Sequence, residues 1–146
     1  MEKYENAIPY FDIPMQHISD RVLSAMNRRG DGALIRERVE TIRRRFPDAV
    51  IRTSLIVGFP GEGEAEFEEL CAFIQEMRFE RLGCFAFSPE EGTVAASLPG
   101  QIEEEEKQRR RDIVMQTQER IADAYNQAQL GKTLDVLVES FDRYAE

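Results

Sequence analysis

The run Arg52-Thr53-Ser54-Leu55-Ile56-Val57-Gly58-Phe59-Pro60-Gly61-Glu62-Gly63-Glu64 leaves the chain few choices. Leu55, Ile56 and Val57 form a continuous apolar run, the pattern of a strand covered on both faces. Gly58, Pro60, Gly61 and Gly63 end strand and helix alike and leave the backbone open to close approach by a ligand. Glu62, Glu64 and Glu66 then favour a helix start, because acids suit the positive end of the helix dipole. In α/β sheets and barrels, ligands sit beyond the carboxyl ends of strands, which places a binding site at Gly58 to Gly61. A connecting loop without a ligand is the plain alternative.

The segments around this run repeat its design. Tyr10 to Ile13 reads as a short strand whose regular pairing Pro14 ends, so Gln16, His17 and Ser19 fall on the same side as Gly58. His17 is the only histidine. It could serve as a general base. A hydrogen-bonded histidine that shapes the loop is favoured, because no carboxylate–nucleophile pattern accompanies it. Ser19-Asp20 caps a short helix through Met26, which Gly30 ends in the left-handed conformation. Asp31 caps a second helix, Ala33 to Phe46, with Ile35, Val39, Ile42 and Phe46 along one face. Arg36, Arg38, Arg43, Arg44 and Arg45 lie largely off that stripe and read as a solvated face rather than a nucleic-acid patch.

A strand over Ala49 to Val57, a helix over Glu64 to Met77 and a buried strand over Leu82 to Phe87 follow. The last strand opens into a second Gly/Pro-bearing loop, Ser88 to Thr93, for which a plain turn is the alternative. A long helix runs from about Ile102 to Gln129, and Thr133 to Glu139 alternates like a strand. Alternating β and α units imply a parallel sheet with right-handed crossovers, and three such strands are too few to close a barrel. The expected fold is therefore α/β, half of a barrel with parallel strands and outer helices.

The net charge of -9 argues against non-specific nucleic-acid binding. No apolar run approaches the roughly 18 residues of a membrane span. The start, Met1 to Asn6, does not read as a signal peptide, and a cytoplasmic location is expected. Cys71 and Cys84 lack CxxC spacing and read as buried small hydrophobes, with no metal site.

Four segments, in order, carry a resemblance. They are Tyr10-Phe11-Asp12-Ile13-Pro14-Met15-Gln16-His17 with Met26-Asn27-Arg28-Arg29-Gly30; Ile56-Val57-Gly58-Phe59-Pro60-Gly61-Glu62; Phe87-Ser88-Pro89-Glu90-Glu91-Gly92-Thr93-Val94-Ala95; and Asn126 to Val138. Together they resemble the C-terminal half of the radical domain of the radical S-adenosylmethionine methylthiotransferases, followed by the junction into a TRAM domain. The wording Asp12-Ile13-Pro14-Met15-Gln16-His17 resembles the RimO-type subfamily, which methylthiolates the β-carbon of an aspartate in ribosomal protein S twelve.

The resemblance implies residues 1–130 as the C-terminal half of a radical SAM barrel and 131–146 as the start of a truncated TRAM domain. It implies S-adenosyl-L-methionine as cofactor and two [4Fe–4S] clusters in the parent protein, with ligands outside this chain. It implies ribosomal protein S twelve on the ribosome as substrate and an electron donor for the parent, with no membrane and no direct nucleic-acid binding by this piece. Val57, Gly58 and Phe59 match the segment whose backbone lies beside the adenine. Gln16 and Arg52 match polar positions facing the ribose or methionine end, and an arginine can clasp a carboxylate. Phe87 and Ser88 match the sixth-strand end near the adenine. No catalytic residue and no metal ligand carries over.

The family's Cys-x3-Cys-x2-Cys loop is absent, and thiolates are what hold such clusters. The chain by itself is therefore expected to be an inactive piece of the enzyme. Two other readings stay open: a piece of a tRNA adenosine methylthiotransferase, and a non-catalytic half-barrel that binds a nucleotide or the ribosome.

Overall fold

The computed structural model describes residues 7–136 and Val138. Its elements are β1 (Tyr10–Asp12), α1 (Asp20–Ala25), α2 (Gly32–Arg45), β2 (Val50–Val57), α3 (Glu64–Met77), β3 (Arg81–Ala86) and α4 (Glu104–Gln127). A single 3-10 turn, Ala95–Ser97, interrupts the loop between β3 and α4. The three strands form one parallel sheet in the order β1-β2-β3. Phe11 stands opposite Ile51, and Leu55 opposite Cys84. The expected α/β architecture of consecutive strand–helix units, a partial barrel, is present.

β2 explains the layering. Ile51, Thr53, Leu55 and Val57 are buried, while Arg52, Ser54 and Ile56 on the alternate face are more open. The buried set joins Val39 of α2, Leu70, Phe73 and Ile74 of α3, Leu82 and Cys84 of β3, and Val114 and Ile121 of α4 in one core. The three long helices thus share one face of the sheet. Phe85 of β3 stands on the open face, 60% exposed.

Several local expectations shift. Ser19 makes no side-chain cap on α1; Asp20 Oδ1 instead accepts from Gly32 N at 2.7 Å and ties α1 to the start of α2. Asn27 (φ 56) takes the left-handed turn after α1, and Gly30 (φ 103) takes a second one further on. Asparagine tolerates this region because its short polar side chain can bond locally. Asp31 caps α2 as expected, accepting from Leu34 N at 2.7 Å. Residues 133–136 and 138 form no strand, and Leu134, Val136 and Val138 are exposed. Their alternation finds no strand to pair with among the described residues; Leu137 and Glu139 lie outside those residues.

The two faces of the sheet should respond differently to truncation. Leu55→Ala, in the packed face of the central strand, lowers unfolding stability by about 2–5 kcal/mol. Phe85→Ala, on the open face, changes it by no more than about 0.5 kcal/mol. Urea titration followed by circular dichroism separates them, and equal losses would refute the one-sided core.

Candidate functional site

The loops that leave the three strands meet at one end of the sheet. After β1 the chain stays beside β2: Gln16 N donates to Ser54 O at 2.9 Å, and Ile56 N donates to Gln16 O at 2.8 Å. This pairing holds Gln16 in a left-handed conformation, φ 72, which is uncommon for a residue with a side chain. After β3, Phe87 N donates to Val57 O at 2.8 Å and brings the Phe87 ring beside Phe59. The two rings meet edge to face, 5.0 Å between centroids.

Gln16, Asn27, Ile56, Phe59 and Phe87 line a cavity of about 600 Å³ that Val94, Ala95 and Leu98 close from the β3–α4 loop. That size falls within the range of about 300–1,000 Å³ usual for small-molecule sites. A larger cavity of about 720 Å³ lies against Ile13, Leu34, Ile35 and Val39 on the β1 side. The strand-end cavity is the better candidate, because it joins a polar side chain and two aromatic rings at the carboxyl ends of parallel strands.

A buried carboxylate builds this end of the sheet. Glu62 lies outside α3, and its side chain is fully enclosed. Its Oε2 accepts from Gly58 N at 3.0 Å, and its Oε1 accepts from Arg110 Nη1 of α4 at 2.8 Å. Arg110 Nη1 also donates to the Glu62 carbonyl at 2.9 Å. His17 Nε2 faces Glu62 Oε2 at 3.3 Å, away from ideal hydrogen-bond alignment. His17 Nδ1 accepts from Ser19 N at 3.0 Å, so Nε2 carries the proton on the side of the ring nearer the carboxylate. Burial pushes the Glu62 carboxyl up, but the bonds from His17, Arg110 and Gly58 outweigh it and hold the group below its usual range. Glu62 was expected to serve the helix dipole; it serves the loop instead. His17 shapes that loop and is fully buried.

The sequence-predicted residues separate into three groups. Gln16, Phe59 and Phe87 line the cavity directly. Val57 and Gly58 lie behind it: Val57 O is engaged by Phe87 N, and Gly58 N by Glu62. Gly58 (φ +74) meets protein at the position where a ligand approach was expected, because a Cβ there would lie 2.3 Å from Lys107 Cγ of α4. Arg52 and Ser88 do not reach the cavity. Arg52 pairs with Asp12 across β1 and β2, on the strand face that also carries Ile56. Ser88 is exposed, and its hydroxyl donates to Glu90 Oε1 at 3.4 Å. Sequence reasoning passed over Glu62, Arg110 and Lys107 as site-building residues. One signal was readable for Glu62: it precedes Gly63, the residue at which α3 is capped.

The aromatic pair and the Gln16 amide suit the ring and polar edge of a nucleoside. An iron–sulfur cluster does not fit this chain. Its two cysteines sit apart on α3 and β3. Burial pushes the Cys84 thiol up to about 12 and the Cys71 thiol up to about 11, whereas a cluster needs thiolates. Among the described residues, no group of three or more His, Cys, Asp or Glu could hold a metal ion. No helix among them is long and apolar enough to cross a membrane.

Residues 1–74 match the profile of the Radical SAM superfamily. The chain is 46% identical over 139 residues to a protein of Clostridioides difficile named "Ribosomal protein uS12 methylthiotransferase RimO", covering 95% of the chain and 31% of that relative. Proteins of the same name from Thermosynechococcus vestitus and Dictyoglomus thermophilum are 48% and 50% identical over 139 and 136 residues. They cover 95% and 93% of the chain, which again spans 31% of each.

The carboxylates around Arg110 fix the pH dependence of stability. Hydrogen bonds from Arg109 and Arg110 hold Glu106 down to about 2, and Glu62 is also lowered. Groups lowered on folding stabilise above their unfolded values near 4.5 and lose that contribution as pH falls through their folded values. Stability should therefore decline from about pH 4.5 toward 2. Glu62→Gln should cost about 3–5 kcal/mol at neutral pH, since it leaves Arg110 with Glu106 as its main charged partner, and should flatten the acid limb. Urea midpoints measured across pH check both, and an unchanged acid limb would refute the role given to Glu62.

Proposed function

On the premise that this chain belongs to the Radical SAM superfamily, we propose that it forms the adenine-side wall of an S-adenosyl-L-methionine site in an enzyme that methylthiolates ribosomal protein uS12. One observation carries the reading: Gln16, Phe59 and Phe87, from three different strand ends, line one cavity. The relatives named as uS12 methylthiotransferases favour the ribosomal protein over a tRNA substrate. The chain spans about a third of their length, so the activity belongs to the proposal.

The roles of the residues follow from their chemistry. Phe59 and Phe87 offer apolar ring surface for the adenine, and the Gln16 amide offers a donor and an acceptor. Val57 and Gly58 fix the loop that carries Phe59. Arg52, on the open sheet face below Ile56, gives that face a cation, tethered by Asp12, for the carboxylate end of the cofactor. Ser88, exposed and one residue beyond Phe87, would meet the cofactor only outside the cavity, from the β3 side. The cofactor, when bound with its cluster, supplies hydrogen-atom abstraction from a carbon. Two [4Fe–4S] clusters with cysteine ligands outside this chain, an external electron donor, a cytoplasmic location and a TRAM-like continuation from residue 131 complete the proposal.

The test is a chimera. The matching segment of the Clostridioides difficile relative is replaced by this chain, and uS12 is examined by mass spectrometry for exchange of one hydrogen for a methylthio group. Modified uS12 is the expected result. A chimera that binds S-adenosylmethionine but modifies tRNA would overturn the substrate reading, and one that binds no S-adenosylmethionine would overturn the cofactor reading. In the chain itself, Gln16→Gly relieves a left-handed strain of about 1 kcal/mol and removes the amide from the cavity. Its urea midpoint should hold or rise while affinity for S-adenosylhomocysteine falls; a lower midpoint with unchanged affinity would refute the role of Gln16.

A further inference from the structure

We propose that Lys107 is a positioning residue for the aromatic pair of the strand-end cavity, its stem filling the space left at Gly58 and its ammonium holding the Phe87 ring. This rests on the reading that the cavity takes an adenosyl group.

Lys107 is out of place by ordinary rules. It lies in the first turn of α4, where the helix dipole disfavours a cation. It is only 4% exposed, although lysine is seldom buried without a partner. Its surroundings account for both facts. The stem runs against the backbone of Gly58, where a Cβ would come within 2.3 Å of Lys107 Cγ and 3.0 Å of Cβ. A glycine at 58 and a long stem at 107 are therefore one packing solution. Nζ donates to Glu104 Oε2 at 3.1 Å and stands 5.9 Å from the centre of the Phe87 ring. That is within the reach of a cation–π contact. Phe87 in turn meets Phe59 at 5.0 Å.

The contacts run in series from the α4 backbone to Lys107, to Phe87 and to Phe59. A methionine at 107 would fill the space beside Gly58 equally well. It would not hold the ring or bond Glu104. The charge, rather than the bulk, is the part of Lys107 that acts on the cavity, and it acts through Phe87 rather than on the ligand.

The experiment uses the full chain with isotope-labelled aromatic residues. Nuclear Overhauser effects report the Phe59–Phe87 geometry, and titration with S-adenosylhomocysteine reports affinity. Lys107→Met should still unfold cooperatively, shift the Phe87 ring signals, weaken the ring-to-ring effects and bind about three- to tenfold more weakly. Lys107→Arg, which keeps a cation over the ring, should restore most of both. Glu104→Gln releases the ammonium from its exposed tether and should move both readouts the same way by less. Ring signals unchanged in Lys107→Met and Glu104→Gln overturn the proposal. If Lys107→Met does not fold, Glu104→Gln decides by the same criterion. A wild-type chain that shows the ring contacts but binds no S-adenosylhomocysteine refutes the cofactor reading, and the ring signals still decide the role of Lys107.

Discussion

The enclosed carboxylate of Glu62 is the contact on which the strand-end geometry depends. Its three partners come from separate parts of the chain: His17 after β1, Gly58 at the end of β2 and Arg110 on α4. A carboxylate out of water is costly unless its oxygens are satisfied, and these partners satisfy them. Because they converge on one group, the positions of the β1 loop, the β2 loop and α4 are coupled. The cavity lies beside this junction, and two of its walls begin at residues next to it, Gln16 and Phe59. Rigid placement of a binding surface needs such support from the residues behind it.

The parallel sheet supplies the other half of the design. All three strands point the same way, so the loops that follow them emerge at one end. The long helices pack on a single face of the sheet, which leaves Arg52, Ser54 and Ile56 of β2 open on the other. The cavity sits where that open face meets the strand ends. Hence Arg52 can share a face with the cavity and remain distant from it: four residues of strand span about 13 Å.

How legible all this was in the sequence depends on whether the signals were local. The β2–loop–α3 unit was readable because an apolar run, a Gly/Pro cluster and an acidic helix start agree within Arg52 to Glu66, and the observed bounds, Val50–Val57 and Glu64–Met77, lie close to expectation. The apolar pattern of α4 is interrupted for a physical reason: Lys107, Arg110 and Gln118 are buried on its inner side together with Val114 and Ile121. Gln118 spends its amide on Phe79 O at 2.9 Å. Polar groups that satisfy distant backbone and carboxylates do not follow apolar periodicity. Residues 133–136 and 138 show the opposite case, since a local alternation reads as a strand but cannot supply the strand it would pair with.

Gly58 shows how a motif can be located correctly for an incomplete reason. A glycine-rich loop at a strand end suggests that the backbone must be bare for a ligand. At Gly58 the group that needs the space is the Lys107 stem, and the left-handed φ of +74 adds a second, purely conformational demand. Gly61 likewise spends its N–H on Gly100 O at 2.8 Å, which fastens the loop before α4 to the same place. The glycines therefore let α4 and its approach loop close onto the end of β2. That closure carries Arg110 to Glu62 and Lys107 to Phe87, so the bare backbone serves the cavity by letting protein, rather than ligand, come near.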